Sequence, residues 1–198
     1  MTISSATHAI SINPHTGESL SALPWSTAQD IEQALQLAAA GFRDWKQTTV
    51  AYRAQKLRDI GQALRVRGEA MAQCITREMG KPINQARAEV AKSAALCDWY
   101  AEHGPAMLDA EPTLVENQQA VIEYRPLGTG NGYLLKPAPN VTGCAKIISQ
   151  VFTDAAIPAG VYNWLNTDNQ GVSTLINDAR IAAVTVTGSV RAGAAIGA

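Results

Sequence analysis

The stretch Val184-Thr185-Val186-Thr187-Gly188-Ser189-Val190-Arg191-Ala192-Gly193-Ala194-Ala195-Ile196-Gly197 decides how the chain is read. An apolar strand turns through Gly188 and Ser189 into a helix of small residues. Gly188 permits a tight turn, Ser189 caps the helix or donates a hydroxyl, and the first helical N–H groups carry the positive end of the dipole. This shape receives a phosphate. Working back from it, strands and helices alternate: Ile181 to Val186 as a strand, Gly171 to Asn177 as a helix, Val161 to Leu165 as a strand, Thr142 to Ala156 as a helix, and Tyr133 to Lys136 as a strand. Alternation with short connections predicts βαβ units and a parallel sheet.

The other half reads differently. Asn13-Pro14-His15-Thr16-Gly17-Glu18 lies between short apolar stretches and predicts a turn between two strands over Ile10 to Trp25. Thr27 followed by Asp30 has the form of a capping box, after which Ile31, Ala34, Leu35, Ala38, Phe42 and Trp45 share one helical stripe. Further helices are expected from Val50 to Arg67 (Leu57, Ile60 and Leu64 inward), from Glu69 to Met79, ended by Gly80-Lys81-Pro82, and from Asn84 to His103 (Ala86, Val90, Ala94, Cys97 and Tyr100 or Ala101 inward). Polar Glu111 to Gln119, with Pro112, reads as a loop, and Val121 to Tyr124 as a strand. The fold class is therefore α/β: a helical N-terminal segment with an incomplete Rossmann-like parallel sheet.

With 198 residues the chain can bury a core, and 16 Lys+Arg against 17 Asp+Glu leave no bulk field for nucleic acid or an anionic membrane. Small molecules and other subunits are the expected partners. No apolar run reaches the length of a membrane span and no leader pattern opens the chain, which points to the cytoplasm. Cys74, Cys97 and Cys144 form no Cys-x-x-Cys pair and have no histidine at ligand spacing, so they are read as reduced core residues and no metal site is assigned. His8, His15 and His103 complete no hydrolase pattern. Glu78 and Glu89, with Arg77, Lys81, Arg87 and Lys92 nearby, read as helix-surface ion pairs.

The order of motifs resembles the aldehyde dehydrogenase superfamily. Asn13-Pro14-x-Thr16-Gly17-Glu18, Glu78-x-Gly80-Lys81-Pro82, Tyr124-Arg125-Pro126-Leu127-Gly128, Lys136-Pro137, Pro158-Ala159-Gly160-Val161-Tyr162-Asn163 and Thr187-Gly188-Ser189 follow in the family's order. The details are most similar to bacterial succinate-semialdehyde dehydrogenases. The resemblance implies NAD- or NADP-dependent oxidation of an aldehyde, succinate semialdehyde in this branch, to the carboxylic acid in a homo-oligomer. A cysteine thiolate attacks the aldehyde, hydride passes to the nicotinamide, and a glutamate activates the hydrolytic water.

It also implies a division into residues 1–125, a leading helical and strand segment with the start of an oligomerisation arm, and residues 126–198, a partial NAD(P)-binding domain, with the catalytic domain absent. Lys136 is expected to contact the adenine ribose, and Gly188, Ser189 and Gly193 to line the pyrophosphate. Pro139 stands where many members carry a ribose-binding glutamate, which removes a repulsion against a 2′-phosphate and makes NADP acceptable beside NAD.

The chain departs from the family at one internal point. Gly128-Thr129 runs directly into Gly130-Asn131-Gly132, where the family has a strand and a helix, and the Pro-Trp-Asn stretch holding its oxyanion-binding asparagine is absent. Parallel neighbours need a crossover of about a dozen residues, whereas Gly128 to Gly132 spans only a tight hairpin, so either the chain folds abnormally here or the sequence is joined across a missing βα unit. No catalytic residue is assigned, and the chain alone is expected to be inactive. The alternative is a non-catalytic remnant that binds a dinucleotide or associates with other subunits, since a lost unit exposes sheet edges.

Overall fold

The computed structural model describes residues 6–115, 118–122 and 132–197. It opens with the expected hairpin: β1 (His8–Ile12) and β2 (Ser19–Pro24) pair antiparallel, with a register shift between Ser11 and Ile12. The connecting turn closes through Asn13 N–H to Glu18 O (2.8 Å) and Gly17 N–H to Asn13 O (2.8 Å), and Gly17 takes φ +76°. α1 (Ala28–Trp45) starts on the full capping box. The Asp30 N–H donates to Thr27 Oγ1 (3.2 Å) and the Thr27 N–H donates to Asp30 Oδ2 (2.7 Å).

α2 (Val50–Val66), α3 (Gly68–Met79) and α4 (Ile83–Met107) follow, with Gly80 ending α3 at φ +70°. Their contact faces are partly smaller than the apolar stripes predict. Ala54, Gly61 and Ala63 are the buried residues of α2, and Ile60 and Leu64 flank them. Ala101 rather than Tyr100 is buried on α4, which extends past His103 through Pro105. Proline has no N–H to give the carbonyl four residues back. That carbonyl belongs to Ala101, and the Arg58 guanidinium on α2 donates to it at 3.3 Å.

Glu111 to Gln119 is not a loop. β3 (Glu111–Val115) and β4 (Gln118–Ile122) form an antiparallel ribbon. Every strand of a two-stranded ribbon is an edge, where Pro112 is tolerated and hydrophobic alternation is not required. Glu123 and Tyr124 of the expected strand, the Tyr124–Gly128 motif and most of the Gly128–Gly132 junction lie outside the described residues.

β5 (Tyr133–Leu135) and β6 (Tyr162–Trp164) pair in parallel across α5 (Thr142–Asp154). Both faces of the pair are covered. Leu134 packs with Ile31 and Leu35 of α1, Leu165 just beyond β6 and Leu175 of α6 (Asn169–Ile176), while Tyr162 stacks on Phe152 of α5 at a 4.0 Å centroid distance. The loop before β6 touches α1 backbone to backbone. Gly160 has φ +84°, and a Cβ there would fall 2.2 Å from the Leu37 carbonyl oxygen. Asn166, just beyond β6, donates to the carbonyls of Leu23 (3.1 Å) and Pro24 (2.8 Å) and so ties the hairpin to the sheet.

One expected strand does not form. Residues 181–187 have no strand assignment, and Val184 and Val186 are 48% and 44% exposed. The reason lies in the order of a doubly wound sheet, 3-2-1-4-5-6. With β5 as its second strand and β6 as its third, Ile181 to Val186 is the fourth. A fourth strand borders the first and fifth, and the first is the unit missing between Gly128 and Gly132. α7 (Val190–Gly197) forms after it as expected.

Candidate functional site

The residues expected to hold a dinucleotide occupy two places. Lys136 follows β5 at its C-terminal end, the side on which open α/β sheets bind ligands. Its ammonium donates to the Pro137 carbonyl oxygen at 2.7 Å, and burial lowers its pKa from the ordinary lysine value. An ammonium has three donors, and among the described residues only one is engaged, which leaves two for a ligand. Ser189 caps α7: its Oγ accepts from the Ala192 N–H at 3.2 Å, and its carbonyl accepts from the Gly193 N–H at 3.0 Å. The Val190 and Arg191 N–H groups have no partner among the described residues, as at any open helix start.

Gly188 does not take a positive φ, so its glycine is not required by the turn. Space is the better reason for it. A Cβ on Gly188 would meet only the Ala192 Cβ, at 3.5 Å, and one on Gly193 would meet nothing within 4 Å. That leaves an open surface for a ligand. Among the described residues no hydrogen bond or ion pair joins Lys136 to Ser189, in keeping with the missing strand between them.

A second cluster was not foreseen from the sequence. Glu78 is not a surface helix residue; it is 4% exposed and points into the start of α5. Its Oε1 accepts from the Gly143 N–H (2.8 Å) and from Ser11 Oγ (3.1 Å), and its Oε2 accepts from the Cys144 N–H (2.9 Å). α5 has no side-chain cap of its own, so Glu78 caps it from another helix. Cys74, one turn earlier on α3, and Cys144 approach the same carboxylate. Sγ of each cysteine and an oxygen of Glu78 lie within 4.8 Å of one another. Glu89, by contrast, makes the surface pair expected, with Lys81.

Neither Cys144 nor Cys97 is built as a nucleophile. The contact with Cys74, burial, and Glu78 all push the Cys144 thiol far up, and burial raises that of Cys97. Attack needs a thiolate at neutral pH, which these surroundings suppress.

The sequence profile described as "Aldehyde dehydrogenase family" matches residues 2–130 and 126–198. The chain belongs to the aldehyde dehydrogenase family. It is 72% identical to the succinate semialdehyde dehydrogenase [NAD(P)+] Sad of Escherichia coli strain K12, with 100% of this chain and 48% of the relative aligned. It is 29% identical to a succinate-semialdehyde dehydrogenase [NADP(+)] of Deinococcus radiodurans over 93% of this chain and 44% of that one. The solved succinic semialdehyde dehydrogenase of Streptococcus pyogenes in complex with NADP+ as the cofactor superposes with a TM-score of 0.88 at 25% identity, over 97% of this chain and 47% of that chain.

The chain thus spans about half the length of the curated relatives it matches. The internal departure is visible too. The two profile matches share residues 126–130, and the E. coli alignment runs over 222 positions against 198 residues here, so that relative carries residues inside the matched span that this aldehyde dehydrogenase chain lacks.

Proposed function

We propose that this chain is the cofactor-binding portion of an NAD(P)-dependent succinate semialdehyde dehydrogenase, which oxidises the aldehyde to the carboxylic acid. The observation that carries the reading is 72% identity along the whole chain to the E. coli enzyme of that name. Residues 1–125 form the leading segment and residues 126–198 the partial NAD(P)-binding domain. The working enzyme is read as a cytoplasmic homo-oligomer, with the β3–β4 ribbon at the start of its strand arm; no described helix is long and apolar enough to cross a membrane.

The residues present fit part of a dinucleotide. Lys136 offers two free donors to ribose hydroxyls. The Ser189 turn offers the unpaired N–H groups at the start of α7, and Gly188 and Gly193 leave room for a pyrophosphate. When bound, NAD(P)+ accepts the hydride. Pro139 places no carboxylate against a 2′-phosphate, which supports use of either cofactor. Since Cys97 and Cys144 are held as thiols and Cys74 lies against the Glu78 carboxylate in no acyl-transfer motif, the chain by itself binds and does not turn over.

Titration of the purified chain with NAD+ and NADP+, read by calorimetry, tests this. Binding that weakens in Lys136→Ala, with no NAD(P)H formed from succinate semialdehyde, is the expected result. Steady NAD(P)H production overturns the inactive reading. Absence of binding to either nucleotide leaves only subunit association, a second reading that the exposed Val184 and Val186 favour.

A further inference from the structure

The geometry points to Cys74, Glu78 and Cys144 as a binding site for one thiophilic divalent cation of the zinc type. The donors come from two helices that sequence spacing does not connect. Cys74 and Glu78 are four residues apart and share one face of α3. Cys144 is the third residue of α5 and arrives from the other side. One donor atom from each lies within 4.8 Å of the other two, Glu78 and Cys144 are buried, and Cys74 is partly open to solvent. In a tetrahedral zinc site, metal–sulfur distances of about 2.3 Å and metal–oxygen distances of about 2.1 Å place the donors about 3.5–3.8 Å apart. A contraction of at most about 1.3 Å therefore closes the site, and the open side at Cys74 admits water as a fourth ligand.

Glu78 has capacity left for this role. Oε2 accepts one hydrogen bond, from the Cys144 N–H, and keeps a second lone pair. Oε1 is held by Gly143 and Ser11, which fixes the orientation of the carboxylate. Crowding at this point is also built in. A Cβ on Gly143 would stand 3.0 Å from Cys74 Sγ and 2.7 Å from Glu78 Oε1, so only glycine lets the helix start approach the two side chains.

Charge is balanced by the fold. Two thiolates and one carboxylate around a dication carry one net negative charge, placed against the positive end of α5. Binding is a ligand exchange without redox change. Two S–H bonds break, two metal–sulfur bonds form, and two protons leave to solvent.

The test uses the full chain with a phosphine reductant, titrated with Cd2+ and read by sulfur-to-cadmium charge-transfer absorbance, then displaced by Zn2+. One Cd2+ per chain is expected, with release of about two protons per ion near neutral pH. Cys97→Ser retains this behaviour, because Cys97 lies apart on α4. Cys74→Ser and Cys144→Ser each weaken binding by at least about 100-fold, the upper end of what losing a mere outer-shell partner costs. The Cys97→Ser chain has only the two proposed thiols, so it decides the matter even if a serine variant at the site fails to fold. No charge-transfer band in that chain, or an unchanged band in a folded Cys74→Ser or Cys144→Ser chain, overturns the site.

Discussion

Glu78→Ala separates a buried helix cap from an ordinary surface charge. In the structure this carboxylate accepts from two backbone N–H groups, those of Gly143 and Cys144, and from the Ser11 hydroxyl. Ser11 has one proton to give and a second acceptor, the Asn140 carbonyl oxygen at 2.8 Å, so the substitution does not orphan it. The two N–H groups have no such recourse. A buried donor left without a partner costs about 1–3 kcal/mol, which gives about 2–6 kcal/mol for the pair. Loss of the negative charge at the start of α5 adds up to about 2 kcal/mol in a buried setting. Since whole domains are stable by only about 5–15 kcal/mol, the effect is large. Urea unfolding followed by far-ultraviolet circular dichroism measures it, with Glu89→Ala as the comparison. Glu89 makes an exposed pair with Lys81, and pairs of that kind contribute about 0–1 kcal/mol. If Glu78→Ala costs no more than Glu89→Ala, the capping argument is wrong.

Three more expectations rest on the same structure. Gly160→Ala should destabilise by about 3 kcal/mol or more, because a Cβ there meets the Leu37 backbone at 2.2 Å as well as a left-handed φ, whereas Gly17→Ala, with nothing within 4 Å, should cost about 1 kcal/mol; thermal unfolding of both distinguishes contact from strain. The Arg180 guanidinium holds Asp178 and Glu32 well below their ordinary carboxylate values, each at about 2. Their folded pKa values are depressed, so this stabilisation is complete above the unfolded values, 3.8 and 4.5, and is lost as pH falls toward about 2. Arg180→Gln should flatten the acid limb of the stability profile over that window, and an unchanged limb would refute the assignment. Amides of residues 182–186 should exchange with deuterium at nearly the unfolded rate, while the Leu165 N–H, bonded to the Leu135 carbonyl oxygen at 2.9 Å, is protected; protection across 182–186 would mean that the fourth strand is paired after all.

What was legible in the sequence was local. The hairpin turn, the Thr27–Asp30 box and the Gly80 stop each carry their signal within a few residues, and the corresponding elements form where expected. The β3–β4 ribbon was missed because it is polar and edge-only, which leaves no alternation to read. Residues 181–186 failed in the opposite sense. Their alternation is real, but a strand is completed by its neighbour, and the neighbour is not in the chain. α4 runs through Pro105 because Arg58 takes up the carbonyl that proline abandons, a contact across helices that no single-helix signal encodes. Glu78 and its cysteines were legible only in part. Cys74 and Glu78 stand at helical spacing in plain view, but which way that face points was settled by packing against α5.

The two hydrogen bonds from Asn166 to Leu23 and Pro24 join residues 143 and 142 positions apart. Chain emerging from a ribosome reaches Asn166 long after the hairpin, whereas α2, α3 and α4 are neighbours in sequence and have most of their partners at hand early. Closing a long loop is slow compared with packing adjacent helices. The β1–β2 hairpin is therefore among the last parts to be fixed, and it waits for Asn166 to be made.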